Sequence, residues 1–224
     1  MMNAADETIF PVVETFSSIQ GESTHAGRQC FFIRFAVCNL RCSYCDTAYA
    51  WEASAATLRS IAELLAAVRE SGLPLVELTG GEPLLQPGLP ELARALLEDG
   101  REVLLETNGS LPLDMVPPDV RKIVDVKLPS SGMSEYNNSA NYPLLGPGDE
   151  LKFVTGGRSD FEWALAWIDR HRLAERGVPL IFSPVFGAID PAELAQWLID
   201  SRRPELRMQI QMHKVLWHPD RRGV

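Results

Sequence analysis

Three cysteines fall within eight residues in the run Cys38-Asn39-Leu40-Arg41-Cys42-Ser43-Tyr44-Cys45. The spacing is C-x3-C-x2-C, with an aromatic residue directly before the last cysteine. It supplies three thiolates and no nearby fourth ligand. A structural zinc site takes four protein ligands in a closed tetrahedron, and a 4Fe-4S cluster in an electron carrier takes four thiolates. Three thiolates on one short loop therefore point to a 4Fe-4S cluster with one iron left open, where a cofactor or substrate can bind. A zinc knuckle, or cysteines serving as small buried apolar residues, would also fit the triplet alone.

A second element narrows the choice. Thr79-Gly80-Gly81-Glu82-Pro83 follows the run Leu75-Val76-Glu77-Leu78, which reads as a short buried strand. Two glycines at a strand end let backbone approach a ligand closely, and Glu82 or a free carbonyl can accept from an ammonium group. By itself the segment could be a simple strand-to-loop turn. The triplet followed by Gly-Gly-Glu-Pro resembles the radical S-adenosylmethionine (SAM) superfamily. The resemblance implies that three cysteines hold a 4Fe-4S cluster and that SAM chelates the open iron through its amino and carboxylate groups. It also implies that the glycine segment meets the SAM amino group.

The elements that must position these residues alternate strand and helix, which argues α/β with a mainly parallel sheet. Strands are expected at Cys30–Phe35, Leu75–Thr79, Glu102–Glu106, Ile123–Leu128, Leu151–Thr155, Val178–Phe182 and Leu206–Gln211. Thr57 is expected to cap a helix with Leu58, Ile61, Leu64, Leu65 and Val68 on its apolar face, stopping near Gly72. A second helix covers Leu89–Asp99, Ser159 caps a third, and Asp190-Pro191 opens a fourth. Residues 109–118 and 129–147 are rich in Pro, Gly, Ser and Asn and show no helix pattern. A complete eightfold barrel takes about 250 residues, more than the 224 here. The expected fold is one domain over residues 1–224, an incomplete TIM-type barrel of six or so strands with few covering helices. Ligands in such folds bind at the C-terminal strand ends, where the cysteine loop, Thr79–Glu82, Glu106–Gly109 and Lys127 all fall.

The net charge of -9 and the lack of a basic patch argue against nucleic acid as a partner. The pairs Arg202-Arg203 and Arg221-Arg222 read as a solvated face. No apolar run reaches membrane-spanning length, and the stretch from Met1 to Thr8 lacks a leader pattern. A cytoplasmic location is expected, and a reducing compartment suits exposed thiolates. The fourth cysteine, Cys30, lies in a strand-like run and reads as a small buried residue.

The segment Glu14-Thr15-Phe16-Ser17-Ser18-Ile19-Gln20-Gly21-Glu22-Ser23, then Gly27 and Phe32-Ile33-Arg34, resembles the 7-carboxy-7-deazaguanine synthase family. So do Cys45-Asp46-Thr47 and Gln211-Met212-His213-Lys214, so that the likeness runs from Glu14 to Lys214. It implies conversion of 6-carboxy-5,6,7,8-tetrahydropterin to 7-carboxy-7-deazaguanine with loss of ammonia. It further implies a homodimer using a 4Fe-4S cluster, Mg²⁺ and SAM regenerated in each turnover, with a flavodoxin- or ferredoxin-type reductant. By position, Cys38, Cys42 and Cys45 would hold the cluster and Thr47 would ligate Mg²⁺. SAM would meet Tyr44, Cys45, Asp46, Gly81, Glu82, Asn108, Asp125, Val126, Lys127, Ser183, Pro184, Val185 and Phe186. The substrate would meet Ile19, Gln20, Gly21, Arg34, Thr79, Gln211 and His213.

These residue types suit the implied chemistry. A planar guanidinium can bind a pterin carboxylate through two parallel hydrogen bonds. Mg²⁺ takes oxygen ligands and keeps waters, and a Gln amide can read a guanine-like ring edge. An arginine in the apolar run Phe31–Phe35 needs a partner. Thr47 could instead close a turn, and His213 could be a core histidine. Two other functions remain open on the sequence: a glycyl-radical activating enzyme, and an iron–sulfur or zinc module without catalysis.

Overall fold

Among residues 8–224, which the computed structural model describes, nine strands form one sheet. The first seven residues, most of the stretch examined for a leader, lie outside them. The strands are β1 (Ile9–Ile19), β2 (Gln29–Phe35), β3 (Thr57–Ser60), β4 (Leu75–Gly80), β5 (Glu102–Thr107), β6 (Arg121–Asp125), β7 (Glu150–Thr155), β8 (Leu180–Pro184) and β9 (Leu206–Met208). Their order is β3-β1-β2-β4-β5-β6-β7-β8-β9. From β2 through β4 to β9 every pairing is parallel, while β1 pairs antiparallel with both β2 and β3. The ends β3 and β9 do not meet, so the fold is the expected partial barrel, with seven parallel strands rather than six.

Strand alternation separates two faces. Ile33, Phe35, Leu78, Leu105, Phe153 and Phe182 pack with Leu64, Leu92, Phe161 and Leu194 from the helices, forming the main core. The other face carries a small apolar base of Cys30, Phe32, Leu75, Leu104 and Ile123, with Phe16 stacked 4.9 Å from Phe32. Cys30 is thus the buried apolar residue expected. Further along the same strands, the same alternation turns Arg34, Glu77, Thr79, Glu106, Asp125 and Lys152 toward one concave surface.

The helices are α1 (Ile61–Ser71), α2 (Leu89–Glu98), α3 (Arg158–Arg170), α4 (Pro191–Ser201) and α5 (Met212–Leu216). Two starts differ from the sequence reading. Ser60, not Thr57, caps α1, because Ser60 and Glu63 form a reciprocal capping box. Thr57–Ser60 instead pair with Ile9–Val12 as β3, and Leu58 faces solvent. α3 begins at Arg158, before Ser159, after an extended Gly157. Asp160 in its first turn accepts from Gly156 N and Ser130 N at 2.8 and 3.0 Å. α4 opens as expected, with Asp190 accepting from Ala192 N at 2.8 Å. The two proline-rich crossovers hold no α-helix; short 3-10 turns at Pro129–Ser131, Ser134–Tyr136 and Ser139–Leu144 shape the second. β6 ends at Asp125 and β9 at Met208, both three residues earlier than expected.

The turn between β1 and β2 crosses the open side of the barrel at the N-terminal end of the parallel strands. Glu150, at the start of β7, accepts from Thr24 N at 2.9 Å. Gln209 Nε2 donates to Ser23 O at 2.7 Å, and Met212 N donates to Gly21 O at 2.9 Å. The turn that carries Gln20-Gly21-Glu22 is therefore fastened to the far edge of the sheet.

Candidate active site

The concave surface encloses a cavity of about 670 Å³ that extends from Phe16 and Phe32 to the cysteine loop. Cys38, Cys42 and Cys45 all line it as half-buried free thiols. Two backbone bonds hold the loop's start: Val37 N donates to Ala50 O at 2.8 Å and Cys38 N to Trp51 O at 3.3 Å. Arg41 braces its outside, donating to the carbonyls of Cys38 and Leu40 at 2.7 and 2.9 Å. Burial pushes the Cys38 and Cys42 thiols up from their ordinary value, so a bound metal centre would have to supply the charge that deprotonates them. Among the described residues no three such side chains converge as the ligands of one ion would. A cluster takes one thiolate per iron, and three thiols spread along one wall fit that need.

The glycine segment adjoins this loop. Gly81 N donates to Phe35 O at 3.0 Å and Glu82 N to Val37 O at 2.8 Å. A Cβ on Gly81 would lie 2.5 Å from the Val37 carbonyl carbon, and one on Gly80 would lie 2.5 Å from Phe35 N. The immediate neighbour that both glycines admit is the backbone leading into the cysteines. Glu82 is fully buried and accepts from Leu84 N, Thr107 Oγ1 and Asn108 N at 3.0, 2.7 and 2.8 Å. Its carboxylate ties β4 to β5 and does not line the cavity. Asn108 does line it, with its amide 3.8 Å from Cys38 Sγ and 3.0 Å from Asn39 Oδ1.

The cavity floor is a chain of charges. Lys152 Nζ contacts Glu106, lies 2.5 Å from Glu22 and 3.8 Å from Asp125. Asp125 in turn holds Lys127 at 2.8 Å. Burial opposes the charge on Lys127, but Asp125, together with Cys42 and Tyr44, outweighs it and holds the ammonium above the usual lysine range. Gln20 Nε2 donates to Glu77. Burial, reinforced by neighbouring Glu106, raises the Glu77 carboxyl well above the usual carboxylate range. Arg34 Nε donates to Glu14 Oε1 at 2.8 Å, and Tyr49 OH reaches the same oxygen at 2.8 Å. Asp46 accepts from Thr47 Oγ1 at 2.9 Å and pairs with Lys214 at 2.9 Å. Burial would raise the Asp46 pKa, but Lys214 more than offsets it.

The structure gathers most residues singled out in the sequence around this one space. Ile19, Gln20, Gly21, Arg34, Thr79, Gln211 and His213 line it, as do Tyr44, Asp46, Thr47, Gly81, Asp125, Lys127, Val185 and Phe186. His213 packs directly on Gly21, where a Cβ would lie 3.1 Å from His213 Cγ. Gln211 Nε2 donates to Glu22 Oε1 at 2.8 Å. Four residues stand apart: the Glu82 carboxylate serves the fold, Val126 is in the main core, and Ser183 and Pro184 are buried at the end of β8. Lys152 and Glu77 belong to no motif, and their signal in the sequence is a charge with apolar residues on both sides within a strand. Of the pairs read as a solvated face, Arg202, Arg221 and Arg222 are exposed as expected. Arg203 grips Asp169 through two bonds of 2.7 and 2.6 Å. Arg222 lies 3.9 Å above the Tyr49 ring, and residues 219–224 form part of the cavity wall.

A partial parallel barrel with three thiols at the C-terminal strand ends is the layout of a radical SAM enzyme, and the family model described as the Radical SAM superfamily matches residues 32–198. The 7-carboxy-7-deazaguanine synthase of Chlorobaculum tepidum is 46% identical, covering 95% of this chain and 96% of that protein. That of Koribacter versatilis is 39% identical, covering 95% and 99% respectively. The chain belongs to the 7-carboxy-7-deazaguanine synthase family, the radical SAM enzymes of deazapurine biosynthesis. The crystal structure of QueE from Escherichia coli shares the fold, with a TM-score of 0.77 at 24% identity over 92% of this chain and 95% of that one. A 4Fe-4S cluster and SAM follow from the family, and no helix among the described residues is long and apolar enough to cross a membrane.

Proposed function

We propose that the enzyme converts 6-carboxy-5,6,7,8-tetrahydropterin to 7-carboxy-7-deazaguanine and ammonia. The observation that carries this reading is the shared cavity: the thiols form one wall, and Gln20, Gly21, Arg34, Gln211 and His213 surround the same space. Cys38, Cys42 and Cys45 would hold the cluster, which would supply an electron to SAM.

The chain's own residues do the positioning. Arg34 is held through Nε by Glu14, so its two terminal nitrogens form the fork offered to the substrate carboxylate. Gln20, Gly21, Ile19, Thr79, Gln211 and His213 hold the ring. Tyr44, Asp46, Gly81, Asn108, Asp125, Lys127, Val185 and Phe186 bound the SAM side. Val126, Ser183 and Pro184 act there through backbone at most, and Glu82 by fixing Asn108. Thr47, whose hydroxyl donates to Asp46 at 2.9 Å, would offer its oxygen to Mg²⁺, a cation that takes oxygen ligands. Holding the reacting carbon next to the SAM side is worth more than any single contact, because positioning can dominate a rate.

The protein works as one domain, as a cytoplasmic homodimer reduced by a flavodoxin- or ferredoxin-type protein. Anaerobic incubation of the reconstituted protein with the pterin, SAM, Mg²⁺ and a reductant tests the reading. Deazaguanine and ammonia are expected, and SAM cleavage without either would overturn it.

A further inference from the structure

Lys152 is the buried cation on which three separate elements of the cavity meet. Its side chain is 4% exposed. Glu22 reaches it from the turn between β1 and β2, Glu106 from β5 and Asp125 from β6. Burial opposes the charge on the ammonium, but Glu106, Glu22 and Asp125 outweigh it and hold the group well above the usual lysine range. Burial also opposes ionisation of Glu22, and Lys152 reverses that, holding this carboxyl below its ordinary value. The other charged groups facing this point are already engaged. Lys127 is paired with Asp125, and Arg34 with Glu14. Glu77 on β4 accepts from Gln20, while His213 on α5 packs on Gly21.

We propose that Lys152 is a positioning residue for the substrate: its ammonium holds Glu22 and Glu106 side by side as acceptors for the N–H donors on the aminopyrimidinone edge of the pterin. The proposal rests on the pterin reading above. A ring N–H and its adjacent amino group form a fork that a carboxylate meets with two parallel bonds. Two carboxylates this close repel unless a cation lies between them. Their outer oxygens are already steadied, Glu22 by Gln211 at 2.8 Å and Glu106 by Thr79 Oγ1 at 3.3 Å. All five side chains line the cavity.

The test is steady-state kinetics across pH on the reconstituted Lys152→Met and Lys152→Arg enzymes, with SAM cleavage in the absence of pterin measured alongside. In Lys152→Met the KM for the pterin should rise by about thirtyfold or more, as for a buried charge stripped of its partner. The acidic limb of kcat/KM should move to higher pH by about one to three units, because Glu22 loses the cation that favours its ionised form. Lys152→Arg should keep the acidic limb in place while raising KM. Pterin-free SAM cleavage should fall by less than pterin turnover in both, since Lys152 touches the SAM side only through Asp125 at 3.8 Å. An unchanged KM, an unmoved acidic limb in Lys152→Met, or a parallel loss of pterin-free cleavage would overturn the proposal. If Lys152→Met fails to hold a cluster, Glu22→Gln carries the test: it cannot ionise and should lose the acidic limb, whereas an unchanged profile refutes the assignment. A wild type that does not turn over the pterin overturns the functional reading and this inference together. A wild type that does, matched by Lys152→Met, overturns this inference alone.

Discussion

Gly81→Ala should dislodge the cysteine loop without altering any ligand. The added methyl carbon would lie 2.5 Å from the Val37 carbonyl carbon and 2.9 Å from Cys38 N. Carbon–carbon contacts are most favourable at about 3.5–4.0 Å, so the two backbones must part by roughly 1 Å. Neither can move alone, because Gly81 N and Glu82 N are bonded to Phe35 O and Val37 O at 3.0 and 2.8 Å. Overpacking of this kind costs about 1–3 kcal/mol, which in a chain this long lowers Tm by about 2–12 °C. The displaced segment leads straight into Cys38, so iron and sulfide content should fall as well. Anaerobic reconstitution followed by iron and sulfide analysis and thermal unfolding reads both effects. Full cluster content with an unchanged Tm would refute the close-approach role of Gly81.

Replacing Cys38, Cys42 or Cys45 by Ala should abolish cluster assembly, whereas Cys30→Ala, in the apolar base of the sheet, should leave iron content near normal; iron analysis separates the two groups. Arg34→Ala should weaken pterin binding by about 2–5 kcal/mol and leave SAM binding intact, with Tyr49 still donating to Glu14 at 2.8 Å. Equilibrium binding of each ligand checks this, and a loss confined to SAM would contradict the assignment. Glu77→Gln probes the carboxyl that burial and Glu106 push well above its ordinary value. The folded state keeps a proton that the unfolded chain releases above about pH 4.3, so Glu77 contributes less stability as pH rises. The amide cannot ionise, and the variant should gain stability relative to wild type between about pH 5 and pH 8. Denaturant midpoints across that window measure it, and a pH-independent difference would count against a protonated Glu77.

What could be read from the sequence was local. β2, β4 and β5 are nearly continuous apolar runs with a glycine or cysteine loop beyond them, and the cysteine spacing lies within one loop. β1 was not legible as a strand because its register shifts between Val12 and Glu14 and most of its residues are half-exposed. The start of α1 turned on Glu63, which selects Ser60 over Thr57 as its capping partner. The Gly80-Gly81 pair announced a close approach, but only the parallel pairing of β2 with β4 brings the Val37 backbone there. The Lys152 cluster gathers side chains from a turn and three strands far apart in the chain, so no spacing could reveal it. Arg222 likewise acquires its ring partner only because residues 219–224 fold back over the cavity.

The most direct test of the central claim is multiple-turnover assay of the reconstituted enzyme under anaerobic conditions, with pterin deuterated at C6 and SAM limiting. The account predicts 7-carboxy-7-deazaguanine and ammonia in excess of the SAM supplied, with deuterium in recovered SAM. One deoxyadenosine released per product with no label in SAM, or SAM cleavage with no deazaguanine formed, would contradict it.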